Sequence, residues 1–208
     1  MGKLEEDFFT KPTLTLAELL LGKIFVHNAG NGRCYKGKIV ETEAYLAEGD
    51  EACHAFRGMT KRNKIMYGPP GTLYVYFTYG CHNLMNIVTE PEGTAGAVLI
   101  RAMEPLDGLA DMKRNRDIMR TVDLMNGPGK LTRAMDITLA HNGMSLSGNT
   151  VFLEKGEKIT KETICSSKRI GITKGTDLFW RRYVAGSPFV SKTKPGPPPK
   201  TRKTVLES

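Results

Sequence analysis

Between residues 23 and 105 the apolar side chains come in short runs of β type, broken at turn residues. Lys23–His27 reads as a strand, Ala29-Gly30-Asn31-Gly32 as a turn, and Cys34–Thr42 as the return strand of a hairpin. Leu73–Thr78 is dense in aromatic and β-branched residues, a strong strand signal. Gly80–Asn83 is turn-like, and Leu84–Thr89 pairs back to make a second hairpin. Ala95–Pro105 is a third strand-like run, stopped by its proline, and Val151–Glu154 is a further strand. Helical signals are fewer. Thr15-Leu16-Ala17-Glu18 fits a capping box ahead of Leu19–Leu21, with Gly22 as the stop. Leu109–Arg120 puts Leu109, Met112, Arg116 and Met119 near one stripe, and Asn126–Lys130 is a glycine turn opening a helix over Leu131–Met135. Residues 47–71 carry few apolar side chains and several turn formers. They form either a functional loop or a surface excursion. With no internal repeat and no convincing linker, the fold class is α+β in a single domain.

One run breaks its own pattern. In KIVETEAYL, residues 38–46, a core-like start (Ile39, Val40) passes into Glu41, Glu43 and Tyr45. Alternation on a strand puts Ile39, Glu41, Glu43 and Tyr45 on one face. That face is either solvent or a pocket wall with a carboxylate beside a stacking surface. Arg101 is a second anomaly, inside the apolar run 97–103. It is either buried against an anion, with Glu41 or Glu43 available, or at a sheet edge with its head in water. Tyr45, Tyr74, Tyr76, Phe77 and Tyr79 are core aromatics or a stacking platform for nucleobases.

Composition narrows the class. The 208 residues are 40% hydrophobic and 25% charged, as in soluble globular proteins. No apolar run reaches membrane-span length and the N-terminus has no secretory h-region, so neither a membrane association nor secretion is expected. The formal charge of +8 suits a nucleic acid partner, and suits equally a basic protein with none. Cys34, Cys53, Cys81 and Cys165, like the four histidines, are scattered. Reduced thiols are expected, with no metal and no cofactor. From Lys192 to Lys203 the chain holds five basic residues, no acid and a Pro-Gly-Pro-Pro-Pro run, a composition of disorder or of an extended basic arm. The expected division is a domain over 1–191 and a flexible tail over 192–208.

Six blocks carry a resemblance: IVETEAYL, PGTLYVYFTYGCHNLMNI, AVLIRAMEP, GPGKL, RIGI and RRYVAGSPFVS. In this order they are similar to the alkyladenine (3-methyladenine) DNA glycosylases, the methylpurine glycosylase family. They span most of the chain, from about residue 14 to 191. The resemblance implies a curved, mostly antiparallel sheet with surrounding helices and a protruding β-hairpin that inserts into DNA. It implies a monofunctional hydrolase, a monomer acting on double-stranded DNA with a damaged purine, leaving an abasic site without strand cleavage. Such a protein would be cytoplasmic at the nucleoid in a prokaryote and nuclear in a eukaryote.

Residue by residue, the resemblance makes Glu43 the general base, with Arg101 and the backbone carbonyl of Ile170 helping to hold the water. Glu41 becomes structural. Tyr45 and Tyr76 stack on the flipped base, His54 meets its edge and Asn86 excludes guanine. Tyr79 is the intercalating wedge. The hairpin tip departs from the family at Cys81-His82-Asn83, where larger apolar or aromatic residues are usual, and the loop over 55–62 is slightly shorter. The rival readings are a non-catalytic protein that binds distorted DNA and a nucleosidase for free nucleosides.

Overall fold

The computed structural model describes residues 2–78 and 80–191; Tyr79 and the tail from 192 lie outside the described residues. Eight strands are described: β1 (Ile24–Gly30), β2 (Arg33–Leu46), β3 (Leu73–Thr78), β4 (His82–Thr89), β5 (Gly96–Asp107), β6 (Val151–Glu154), β7 (Ile164–Ser167) and β8 (Arg181–Val184). Three helices accompany them: α1 (Thr13–Leu19), α2 (Leu109–Arg116) and α3 (Pro128–Ala134). The strands form one antiparallel sheet in the order β3-β4-β5-β2-β1-β6, curled into a half-barrel, with β8 added to β2 and β7 to β8. The α+β class and the curved sheet are as expected.

The 14-residue strand β2 is the axis of this arrangement. One edge pairs with β5 along most of its length. The other edge pairs with β1 up to Lys38 and then, from Glu41 to Glu43, with β8. At this handover two residues step out of register, one on each strand: Ile39 faces Met103, Glu41 faces Ala102, and Thr42 faces Ile100. Such bulges re-aim side chains. Ile39 stays in the main core, as do Ala44 and Ile100, while Thr42 bonds the carbonyl of Ala17 on α1 at 2.7 Å. Glu41, Glu43 and Tyr45 turn to the opposite face. The simple alternation that put them on the side of Ile39 is therefore corrected, because a bulge resets the period.

Both faces of the sheet are covered, which is why its strands read as near-continuous apolar runs. Leu73, Val75, Met85, Ile87, Val98 and Ile100 face the main core under the helices. Tyr74, Val88 and Ala97 face a second, smaller core with Cys53, Ala55 and Met66. These last three come from residues 47–71, so that segment is a packed wall and not a loose excursion.

Two helices differ from their local signals. The Thr15 capping box is not formed: α1 starts at Thr13, whose N–H is capped by Glu90 at 2.9 Å, and Glu18 pairs with Arg182 at 2.9 Å. Helix α2 stops at Arg116, where Asp117 adopts a left-handed conformation, so the expected stripe ends early and Met119 is 78% exposed. Helix α3 opens with Pro128 at its first position, which needs no N–H donor. A Cβ at Gly129 would come within 2.8 Å of the His82 ring, so glycine lets α3 lie directly on β4.

His27, buried on β1, ties this layer together. Its Nδ1 lies 2.7 Å from the Met135 carbonyl and its Nε2 lies 3.0 Å from Nε2 of His141. A carbonyl only accepts, so His27 carries its proton on Nδ1, and His141 donates from Nε2 while its Nδ1 accepts the Thr138 N–H at 3.0 Å. The set is complete only when both rings are neutral. Burial lowers the His27 pKa from its usual 6.5, with His141 and Arg33 adding to the effect and the Met135 bond and Asp136 opposing it. A lowered folded value means that the unfolded chain takes up the proton first, so stability is lost as pH falls below about 6.5. The melting temperature is expected to fall between pH 7.5 and 5.5, and His27→Asn to flatten that slope while lowering stability at pH 7.5; an unchanged slope in differential scanning fluorimetry refutes the assignment.

Candidate active site

A cavity of about 400 Å³ opens beside the smaller core, with Met66, Tyr74 and Ala97 in its lining and Pro128 of α3 at its margin. Tyr45 at the end of β2, Tyr76 on β3, Asn86 on β4 and Arg101 on β5 line it from the sheet, His54 from the 47–71 wall, and Ile170 from the segment before β8. Six of the expected site residues thus share one concavity. Arg101 lies beyond the last β4 pair, Asn86 with Leu99, and is flanked by β2. At 9% exposure it is a buried, paired cation, so the sheet-edge alternative is excluded.

Glu43 lies beneath this cavity and is fully buried, so it is not itself part of the exposed wall. Its Oε1 accepts the Ile170 N–H at 2.8 Å, and its Oε2 accepts the Tyr45 hydroxyl at 2.8 Å and lies 3.4 Å from Arg101 Nη1. Ile170 therefore meets Glu43 through its N–H, a contact different from the carbonyl role expected of it. Burial pushes the Glu43 carboxyl above the ordinary carboxylate range. Arg101, the Ile170 N–H and the Tyr45 hydroxyl oppose that rise and Glu41 adds to it. Arg101 thus acts in the expected direction, but burial outweighs it. The Tyr45 phenol is raised well above 10 by burial and by Glu43, so it stays protonated and remains a donor.

Glu41 shares the face but not the environment. Arg181 Nε donates to it at 2.6 Å, and Ser191 donates through both its hydroxyl and its N–H, each at 2.7 Å. Its Oε1 also lies 3.3 Å from Arg101 Nε. This is a saturated structural site, in line with the role expected of Glu41.

Aromatic and polar side chains shape the rest. The His54 ring meets Tyr76 edge-on at 4.6 Å, and its Nδ1 lies 3.0 Å from the Tyr74 hydroxyl. Partial burial and then the Arg62 charge lower its pKa, favouring the neutral ring. Asn86 donates from Nδ2 to the Tyr74 carbonyl at 3.2 Å. Three participants escaped notice in the sequence: Asp50, Arg169 and Arg181, all buried. A charged residue in a turn-rich segment looks solvated, and its partner stands over a hundred positions away. Among the described residues no group of three side chains could hold a metal ion, and no helix is long and apolar enough to cross a membrane.

Comparison with known proteins identifies the family. The family profile described as Methylpurine-DNA glycosylase (MPG) matches residues 7–188. This chain belongs to the methylpurine-DNA glycosylase family. Relatives named "Putative 3-methyladenine DNA glycosylase" include one from Chlorobium phaeobacteroides (strain BS1), 79% identical over 94% of this chain and 98% of its own length. Another, from Prosthecochloris aestuarii, is 61% identical over the whole of both chains. A third, from Salinibacter ruber, is 45% identical over 94% of this chain and 99% of its own.

A raised folded pKa on a carboxyl has a definite consequence. Its protonated form is favoured by the fold, so its stabilising contribution is present at low pH and lost as pH rises through the folded value. Glu43→Gln, which keeps shape and removes the charge, is expected to raise the melting temperature at pH 8. The gain should shrink toward pH 4.5; a variant less stable than the parent across that range contradicts the account.

Proposed function

We propose that this member of the methylpurine-DNA glycosylase family hydrolyses the N-glycosidic bond of alkylated or deaminated purines in duplex DNA and leaves an abasic site without cutting the strand. The observation that carries the reading is a buried carboxylate directly beneath a tyrosine- and histidine-lined cavity, with an arginine beside it. A protein that only bound distorted DNA would be more stable with a neutral residue at position 43, and the retained charge favours chemistry.

A base inside a duplex is out of reach, so the damaged nucleotide swings into the cavity. Tyr45 and Tyr76 present π faces that favour a cationic alkylpurine, His54 meets the base edge, and Asn86 disfavours guanine. Tyr79 fills the gap left in the helix as an apolar wedge. Glu43 takes the proton of the attacking water as its oxygen bonds to the sugar C1′, and the purine departs with the glycosidic electron pair. An alkylpurine already bears positive charge and leaves without a proton donor. Arg101 and the Ile170 carbonyl orient the water, and Glu43 also stabilises positive charge developing on the sugar. The relatives' names support 3-methyladenine as one substrate. The relatives are bacterial, which supports a role in a bacterial cell; on this reading the protein acts as a monomer at the nucleoid.

The test is base release from duplexes carrying one damaged purine, read by alkali cleavage at abasic sites. Glu43→Gln is expected to slow single-turnover release by about 10²–10⁴-fold, the usual worth of a general base, while leaving lesion binding largely intact; full turnover removes Glu43 from that role. Tyr79→Ala is expected to weaken capture of lesion duplex by roughly thirty-fold, the size of an aromatic hot-spot loss of about 2 kcal/mol, with little effect on plain duplex. Equal losses on both duplexes argue against a wedge. Lesion-duplex affinity should also fall steeply with salt through counterion release. A flat response points to a nucleosidase instead.

A further inference from the structure

The Asp50–Arg169 pair is a tightly bonded, buried group that the proposed chemistry does not use. Both side chains are fully buried, and the contact is bidentate: Nη1 reaches Asp50 Oδ2 at 2.6 Å and Nη2 reaches Oδ1 at 2.6 Å. Arg169 spends its remaining contacts on the active-site frame. Nη1 donates to the Ala44 carbonyl at 2.9 Å, the peptide between Glu43 and Tyr45, and Nη2 donates to the Gly175 carbonyl at 3.3 Å. Its guanidinium lies 4.5 Å from the Tyr45 ring centroid and 5.3 Å from that of Trp180. The buried Nε has no hydrogen-bond partner. An arginine that leaves a donor unsatisfied in order to lie over two rings is held for its plane as well as its charge. Asp50 extends the frame the other way, accepting the Ala52 N–H at 3.0 Å ahead of His54. Gly175 has φ +57, and a Cβ there would come within 3.0 Å of Asp50 and 3.1 Å of Arg169, so the segment closes over the pair only with glycine.

We propose that Asp50 and Arg169 form a positioning clamp that fixes the Tyr45 ring and the Ile170 N–H in register, and so sets both the stacking face for the base and the orientation of Glu43. The proposal rests on the glycosylase reading above. Its physical basis is connectivity: Arg169 precedes Ile170, whose N–H holds Glu43, and binds the peptide that joins Glu43 to Tyr45. Rotation of the guanidinium moves both. Buried ion pairs are weak evidence for stability, since apolar replacements are often neutral; here the pair sets geometry.

Arg169→Lys tests this, because lysine keeps the charge and loses the fork and the plane. The groups acting on Glu43 are Arg101, Glu41, the Tyr45 hydroxyl, the Ile170 N–H and, through its charge, Arg169 itself; lysine keeps that charge, so the substitution alters only the hydroxyl and the N–H that the clamp holds. In the folded variant, single-turnover release from an alkylated duplex should slow about 10- to 100-fold, as expected of a misplacement on the order of 1 Å. The acid limb of its pH–rate profile should move to higher pH as Glu43 loses its N–H donor. Trp180, the single tryptophan, should change emission in the free protein, a readout that needs no activity. A folded Arg169→Lys with the parental rate and pH profile overturns the clamp. If Arg169→Lys fails to fold, Asp50→Asn, which keeps size and weakens the fork, takes the same three measurements with the same expected and overturning results. A parent that releases no base while Trp180 still responds to the substitution sinks the glycosylase reading and with it the clamp's catalytic role, leaving only the geometric coupling.

Discussion

Two carboxylates with no exposure to water, Glu41 and Glu43, sit two residues apart on one strand, and the rest of the site is arranged to make that tolerable. An uncompensated charge in such a place is far too costly to keep. The compensation comes from distant parts of the chain: Arg101 from β5, the Ile170 N–H, Arg181 from β8 and Ser191 after it. The partners of Glu41 on the C-terminal side lie 140 and 150 positions away. Closure of the C-terminal segment onto β2 is thus a condition for burying Glu41 and Glu43. Breaking a buried pair of the Glu41–Arg181 kind typically costs about 3–5 kcal/mol, a large share of a domain's whole margin of about 5–15 kcal/mol.

The place where these charges appear follows from the sheet. Strand β1 stops pairing with β2 at Lys38 and β8 begins at Glu41, with paired bulges between. Before the handover β2 is part of a curled core sheet; after it, the outward side chains face a cavity. A regular strand would have carried Glu41 and Glu43 into the apolar core beside Ile39. The bulges let one strand serve as scaffold in its first half and as site in its second.

Local features were legible in the sequence: the hairpin β3–β4, the apolar run of β5 and a helix over 131–135, which the structure starts earlier, at Pro128. The six-block resemblance named the family correctly because it sampled residues spread over most of the chain. What stayed hidden depends on contacts across it. Glu18 looked like a capping residue because its true partner, Arg182, lies 164 positions on. Asp50 escaped notice because its partner Arg169 is 119 positions away. The face swap at Glu41 was hidden because a bulge leaves no periodic trace. The turn-rich wall over 47–71 looked loose because its core partners are strand residues that follow it.

Three buried carboxylates stand near one another here, and geometry sorts them by role. Asp50 holds Arg169 through two 2.6 Å contacts, and Glu41 holds Arg181 at 2.6 Å with Ser191 on both oxygens. Carboxylates gripped so closely by donors have their lone pairs committed to fixed partners. Glu43 differs: its cation stands off at 3.4 Å, and burial raises its proton affinity against that partner. A base must be ionised yet willing to take a proton near working pH, and of the three only Glu43 combines a loosely held cation with a place directly under the cavity. The same low-dielectric surroundings that hold the other two in fixed pairs leave Glu43 with a looser cation and a raised proton affinity, which is what the proposed role as general base requires.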